Sequence, residues 1–126
     1  AEGITLTDKP EYTYCGRVER VIDGDTLWAQ IDCGFATVAR QKLRLRGIDA
    51  PELATAEGKR AKAFVQKRFA VGGRIVLRTH KSDKFDRYLV DIFYLAGSDD
   101  PEEILAEGTF LNQELLDQGL AQVWKE

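Results

Sequence analysis

The chain has 126 residues, a length that favours one domain with one core. Its 44% hydrophobic residues exclude a wholly disordered chain, and its net charge of -3, taken as an average, argues against a nucleic-acid binder. No apolar run approaches the roughly 20 residues of a membrane helix, so we expect no membrane partner. The chain begins with Ala1 and contains no Met, which is consistent with a removed leader.

The near balance of charge hides an asymmetry along the chain. Residues 1–39 have a net charge of -4 and residues 92–126 a net charge of -7, whereas residues 40–91 carry 14 basic and six acidic side chains. The middle of the chain could therefore bind a polyanion if the fold gathers its charges on one surface. The alternative is a solvated face of mixed charge.

The first third of the chain is predicted to form an arm and three strands. Residues 1–11 lack periodicity and are interpreted as an N-terminal arm. Strands are predicted over residues 14–22, 25–33 and 38–48, the first two joined in a hairpin that turns at Asp23-Gly24. In the third strand, alternation places two leucines on one face and three basic residues on the other: Leu43, Leu45, Lys42, Arg44 and Arg46.

The second half begins with a helix. Residues 56–69 have helical spacing, and their apolar stripe consists of Ala61, Phe64, Val65 and Phe69. Residues 74–79 and 88–95 are rich in β-forming side chains and are predicted to be strands.

An acidic segment, 98–108, precedes the last helix. Asp100 is predicted to cap a short helix, Glu103 to complete a capping box, and Gly108 to end it. Thr109 is predicted to cap the C-terminal helix, whose inward residues are Leu111, Leu115 and Leu116 and which Gly119 ends.

This order of elements predicts a mainly β fold with helices. Five short strands, with one helix after the third and another at the C-terminus, suggest a small closed barrel of the oligonucleotide/oligosaccharide-binding (OB) type. We expect a single OB-fold domain over residues 12–126, with 98–108 as an acidic insertion.

Three acidic residues fall at the ends of predicted strands. Asp25 follows the first hairpin, and Asp49 and Glu52 follow the third strand. Carboxylates without His or Cys suit a hard cation such as Ca²⁺ or Mg²⁺. Each carboxylate could also be an ordinary solvated turn residue.

Two arginines complete a candidate phosphate site. Arg44 lies on the polar face of the third strand, and Arg87 lies just before the last strand. Guanidinium groups bind phosphate bidentately and stay charged, so with a metal they would fit phosphodiester hydrolysis. Either arginine could instead be exposed without a function.

Four segments in order carry a family resemblance. They are Val21–Leu27 (VIDGDTL), Leu43–Glu52 (LRLRGIDAPE), Asp83–Arg87 (DKFDR), and Asn112 with Gln118–Ala121 (QGLA). This set resembles the staphylococcal nuclease (thermonuclease) family over roughly Tyr14 to Val123. The resemblance implies a five-stranded OB-fold barrel and Ca²⁺-dependent cleavage of DNA and RNA.

The resemblance also implies a role for each matching residue. Asp25 and Asp49 resemble the metal-ligating aspartates, and Ala50 holds the position that offers a backbone carbonyl to the metal. Arg44, Glu52 and Arg87 resemble the catalytic residues: a glutamate viewed as general base and two arginines that hold the scissile phosphate. The matching substrate-binding positions are Lys84 and Phe85.

Two cysteines flank the predicted hairpin. In a hairpin turning at Asp23-Gly24, Cys15 and Cys33 would point to opposite faces unless a bulge shifts one strand. With such a bulge a disulfide is feasible and would fit an exported protein. We favour two separate, mostly buried thiols.

The sequence thus predicts a Ca²⁺-dependent endonuclease of the thermonuclease type, a phosphodiesterase in chemical terms. We expect it to act as a monomer on DNA and RNA, with single strands preferred, in a secreted or periplasmic location. The alternative hypothesis is a non-catalytic nucleic-acid-binding module on the same barrel.

Overall fold

The computed structural model describes residues 12–69, 74–80 and 88–124. Its strands are β1 (Tyr12–Asp23), β2 (Thr26–Asp32), β3 (Val38–Leu45), β4 (Ile48–Asp49), β5 (Arg74–His80), β6 (Tyr88–Tyr94), β7 (Thr109–Phe110) and β8 (Gln122–Val123). Its helices are α1 (Ala56–Arg68), α2 (Pro101–Glu107) and α3 (Leu111–Asp117). None of these helices is long and apolar enough to cross a membrane.

Five strands close into a mixed barrel, as the sequence predicts. The strands β3, β2, β1, β5 and β6 are neighbours in that order, and each of these pairs is antiparallel. A parallel pairing of β3 with β6 closes the barrel. The architecture is mainly β with helices and is OB-like, with α1 after β3 and α3 near the C-terminus.

Alternate residues of each strand point into the barrel, and these inward residues are mainly apolar. Inward residues of β2 and β3 are almost fully buried, namely Leu27, Ala29, Leu43 and Leu45. Helix α1 covers one end of this core, and its predicted stripe is confirmed: Ala61, Val65 and Phe69 are buried and Phe64 is partly buried against the same cluster.

The turn between β1 and β2 lies one residue later than predicted. Asp23 pairs with Thr26, so the turn residues are Gly24 and Asp25 instead of Asp23 and Gly24. The register of β1 against β2 shifts twice, between Val18 and Arg20 and again before Asp23. Such bulges add residues to one strand and move the turn.

The predicted third strand is also shorter than expected. It ends at Leu45, and the chain turns at Arg46-Gly47, where the φ of Gly47 is +80°. A left-handed φ favours glycine and interrupts an extended strand. The chain then forms β4, which pairs with β8 and ties residues near the C-terminus to the end of β3.

The acidic segment contains α2, which lies between the predicted cap, Asp100, and the predicted end, Gly108. The side chain of Asp100 accepts a hydrogen bond from the N–H of Glu102, and Gly108 ends the helix. The predicted capping box is wrong in one respect, because the N–H of Asp100 donates to Ser98 Oγ instead of to Glu103.

The start of the last helix differs from the prediction. Thr109 is not a cap: it belongs to β7, which pairs with the end of β6, and Phe110 precedes α3 without a side-chain cap. The inward residues Leu111 and Leu115 are buried as predicted. Gly119 follows the helix with a φ of +70°.

The two cysteines are separate free thiols. Cys15 is half-buried, but Cys33 is exposed, so the prediction that both are mostly buried is wrong for Cys33. Cys33 lies just past Asp32, the residue that pairs with Cys15 at the end of β2. The predicted arm over residues 1–11 lies outside the described part of the chain.

Candidate functional site

The β1–β2 turn brings Asp25 against the start of the α1 region. A Cβ on Gly24 would lie 2.8 Å from the Cβ atoms of both Ala50 and Ala61, closer than such atoms approach in real structures. Glycine at this position therefore lets the turn lie directly on the segment after β4 and on α1. As a result Asp25 is buried, with 6% of its surface exposed.

The carboxylate of Asp25 is held by three donors. Its Oδ2 accepts a hydrogen bond from the N–H of Ala50 at 3.0 Å and lies 2.7 Å from Nη1 of Arg44. Its Oδ1 accepts a hydrogen bond from the hydroxyl of Thr26 at 3.0 Å. The carboxylate is thus fixed in position by β2, β3 and the segment after β4.

Arg44 joins the two predicted metal-ligating aspartates. The residue is 6% exposed, and its Nη2 donates to the carbonyl of Ile48 at 3.0 Å. The same Nη2 lies 3.7 Å from Oδ1 of Asp49, whose side chain is 61% exposed. Arg44 therefore lies between a buried and an exposed carboxylate and brings both to one place.

The indole ring of Trp124 stacks on the guanidinium group of Arg44. The guanidinium carbon lies 4.6 Å from the ring centroid, a cation–π distance. The backbone N–H of Trp124 donates to the carbonyl of Gly47 at 2.9 Å, which places the indole next to the β4–β8 pair. No local pattern in the sequence connects residue 124 to residue 44, so this contact could not be predicted.

A second carboxyl stands beside Asp25. Asp23 Oδ1 accepts a hydrogen bond from the backbone N–H of Asp25 at 3.1 Å. Burial, and then the neighbouring Asp25, raise the pKa of Asp23 to about 6. Burial also opposes ionisation of Asp25, but hydrogen bonds with Asp23, the Ala50 N–H and Arg44 outweigh it and hold the pKa of Asp25 below its usual value.

Glu52 lies on the turn that leads into α1. Its carbonyl accepts hydrogen bonds from both the N–H and the hydroxyl of Thr55, and Thr55 then caps α1 by accepting from the N–H of Gly58. The Glu52 side chain is exposed. A capped turn of this kind fixes the backbone of the glutamate while leaving its carboxylate in solvent.

The donor atoms here suit a hard cation. Asp25 and Asp49 are oxygen donors gathered at one guanidinium, and Asp23 adds a third carboxyl beside Asp25. Among the described residues, however, no three His, Cys, Asp or Glu side chains are grouped to hold a metal ion. Calcium held here would need further oxygens, and it accepts backbone carbonyls and water readily.

The structure thus brings together Asp25, Arg44, Asp49 and Ala50 of the predicted site. Glu52 lies two residues beyond Ala50 on the same segment, and no contact joins its carboxylate to that group among the described residues. The other three predicted residues, Lys84, Phe85 and Arg87, lie outside the described part of the chain.

A buried ionic network joins the turn after β3 to β5 and β6. Arg46 makes two hydrogen bonds to Asp91, at 3.0 and 3.2 Å, and His80 is hydrogen-bonded to the same carboxylate at 2.8 Å. Asp91 is 2% exposed. Asp91 is not among the predicted site residues, although a lone acid inside the apolar run Leu89–Phe93 is a signal for a paired buried carboxylate.

Comparison with known proteins found one family. The family described as staphylococcal nuclease homologue matches residues 42–126, more than half of the chain. The matched region contains Arg44, Asp49, Ala50 and Glu52, whereas Asp25 precedes it. No curated protein matches the chain.

Proposed function

Because this chain belongs to the staphylococcal nuclease homologue family, we propose that it is a Ca²⁺-dependent nuclease that hydrolyses phosphodiester bonds of DNA and RNA. The observation that carries the proposal is the grouping of two aspartates at one buried arginine, Asp25 at 2.7 Å and Asp49 at 3.7 Å from Arg44. Hard oxygen donors next to a guanidinium are the parts that a phosphoryl site needs.

In this proposal Asp25, Asp49 and the Ala50 carbonyl would hold the metal. Bound Ca²⁺ would supply Lewis-acid polarisation of the phosphate and a more acidic bound water. Arg44 stabilises the charge that develops on the phosphate oxygens, and its ion pair with Asp25 together with the stacked Trp124 fixes its direction.

Glu52 is the proposed general base. Its exposed carboxylate on a capped turn can accept the proton of the attacking water. Arg87 is proposed as the second phosphate-binding arginine, and Lys84 and Phe85 as substrate contacts, on the family resemblance alone.

The alternative is a non-catalytic nucleic-acid-binding module. Two observations favour it: within the described ranges no three metal-ligating side chains are grouped together, and Arg44 is already paired with the two aspartates. Both hypotheses use the same barrel and predict nucleic-acid binding. They differ in whether the bound strand is cleaved.

Cleavage of heat-denatured DNA by the unmodified chain separates the two hypotheses, and a pair of matched variants tests the role of Glu52. Glu52→Gln should lower the rate of cleavage of heat-denatured DNA by about 10²- to 10⁴-fold, the usual contribution of a general base. Glu102→Gln, which removes the same charge from an exposed position on α2, should leave the rate unchanged. Equal rates for the unmodified chain and Glu52→Gln would contradict the role of Glu52.

We further propose that the protein acts as a monomer, prefers single strands, and works in a secreted or periplasmic location. Gel filtration with light scattering tests the first of these. A mass near 14.2 kDa is expected, and a dimer mass would contradict it.

A further inference from the structure

The outer face of β1, β2 and β3 gathers basic side chains next to Arg44. Arg20 pairs with Trp28, and Trp28 pairs with Lys42, so the three side chains form one row across the sheet. Arg40 lies two residues from Lys42 on β3, on the same face. We call Arg20, Trp28, Arg40 and Lys42 the basic face.

The alternation of burial shows that this face points away from the core. Leu27 and Ala29, which flank Trp28, and Leu43, which follows Lys42, are buried in the barrel. Arg20, Arg40 and Lys42 are exposed, and Trp28 is half-buried. The bulge in β1 between Val18 and Arg20 adds a residue to that strand and sets Arg20 opposite the indole.

The charge of the basic face is not cancelled by its neighbours. Glu19 forms an ion pair with Arg40 and therefore neutralises one of the three cations in part. In the ranges that the structure describes, neither Arg20 nor Lys42 has an acidic side chain within ion-pair distance. A surplus of positive charge thus remains on this surface, which favours a polyanion.

The basic face also presents an aromatic surface. The guanidinium carbon of Arg40 lies 4.6 Å from the ring centroid of Trp28. Aromatic rings and guanidinium planes are the groups on which unpaired bases stack, whereas a duplex keeps its bases hidden in its own stack. Basic and aromatic groups together therefore favour a single strand over a duplex.

The face is continuous with the candidate site. On β3, Arg44, Lys42 and Arg40 succeed one another on the same side of the sheet, about 6.6 Å apart at each step. A strand whose phosphate lay at Arg44 would therefore meet Lys42 and Trp28 next along its length, and Arg40 after them.

We propose that the basic face binds the nucleotides that flank the scissile phosphate of a single-stranded DNA or RNA, with one base stacked on Trp28. This proposal depends on the proposed function only for the position of the scissile phosphate. Binding of the strand itself can be measured in chelator, without any cleavage.

The main test compares two double variants that remove the same charge. Arg20→Gln/Lys42→Gln should weaken binding of a labelled 12-residue oligodeoxythymidylate by about 10- to 100-fold in chelator at 50 mM salt. The plot of log affinity against log salt should become shallower by about 1.4, which is about 0.7 for each phosphate that the variant no longer neutralises. Arg60→Gln/Lys67→Gln, on the exposed surface of α1, should change neither quantity.

Fluorescence tests the stacking step. Trp124→Phe leaves Trp28 as the remaining tryptophan of the two in the chain. The emission of this variant should be quenched on titration with the oligonucleotide, and Trp28→Val should weaken binding by about tenfold or more. Emission that stays constant through saturating oligonucleotide would overturn the stacking of a base on Trp28.

A single-nucleotide substrate separates this proposal from the proposed nuclease function. Hydrolysis of thymidine 5′-(p-nitrophenyl phosphate) does not need the flanking nucleotides, so Arg20→Gln/Lys42→Gln should leave its rate unchanged. If the unmodified chain binds the oligonucleotide through this face but cleaves nothing, the nuclease proposal fails and the basic face stands. If both double variants bind equally well with equal salt slopes, the basic face is refuted, whatever the activity.

Discussion

Asn112 holds three backbone segments together, and its replacement by leucine should be strongly destabilising. The residue is fully buried at the start of α3. Its Oδ1 accepts a hydrogen bond from the N–H of Ile92 at 3.1 Å, and its Nδ2 donates to the carbonyls of Val90 and Arg46, each at 3.0 Å. Asn112 thereby connects β6 to the turn between β3 and β4, which positions Asp49.

The cost of Asn112→Leu follows from these bonds. The Ile92 N–H loses the partner that Asn112 provides inside the core, at about 1–3 kcal/mol, and each of the two carbonyl bonds contributes about 0.5–1.5 kcal/mol. The Val90 carbonyl keeps a bond from the Arg46 N–H at 2.9 Å. The free energy of unfolding should therefore fall by about 2–6 kcal/mol, a large part of the total stability of a domain of this size.

Urea denaturation followed by circular dichroism measures this decrease. Gln118→Leu is the matched control, because Gln118 is exposed just after α3 and should change the stability by less than about 0.5 kcal/mol. A decrease below about 1 kcal/mol for Asn112→Leu, with an unchanged slope against urea, would refute the reasoning.

Two further perturbations follow from the geometry. Gly24→Ala should lower the free energy of unfolding by about 1–3 kcal/mol, because the new methyl group would lie 2.8 Å from the Cβ atoms of Ala50 and Ala61. In urea denaturation, the double variant Gly24→Ala/Ala61→Gly should recover part of that stability. If Gly24→Ala were neutral, the close approach would be wrong. Burial, and then Glu114, raise the pKa of Tyr94 to about 12, above its value of about 10 in the unfolded chain. Only the unfolded state then ionises between pH 10 and 12, so stability should fall there by about 1–2 kcal/mol more than in Tyr94→Phe, and equal pH profiles would contradict this.

The barrel could be predicted from the sequence because its signals are local. Alternation along β2 and β3 marks the inward leucines, and the apolar stripe of α1 is complete within 14 residues of sequence, 56–69. Pairing register is different, because it depends on contacts between strands. The bulges in β1 moved the turn to Gly24-Asp25 and left no trace in the residue pattern.

In the candidate site, too, local features could be predicted from the sequence, whereas long-range contacts could not. Asp25 and Asp49 at strand ends and Arg44 on a polar strand face were candidates from the local pattern, and the family resemblance gave them roles. The structure brings these three residues together. The stacking of Trp124 on Arg44 depends on the β4–β8 pair, which joins segments more than 70 residues apart in the sequence. Long-range pairing of two-residue strands carries no local signal, and sequence reasoning had no means to find it.

The net charge can be interpreted only once the fold shows where the charged residues lie. The overall value of -3 argues against nucleic acid, but the sheet places Arg20, Arg40 and Lys42 on one face next to Arg44. The acidic residues of α2 belong to a different part of the surface, since α2 contacts β5 and β6. Local charge, and not the average, therefore decides which partner the surface favours.

The most direct test of the central claim is the calcium dependence of strand cleavage by the unmodified chain. A 5′-labelled single-stranded oligonucleotide should be hydrolysed at a rate that rises and saturates with Ca²⁺, and excess chelator should stop the reaction. An oligonucleotide that binds the protein but stays intact at every Ca²⁺ concentration would contradict the claim, and would identify the protein as a nucleic-acid-binding module.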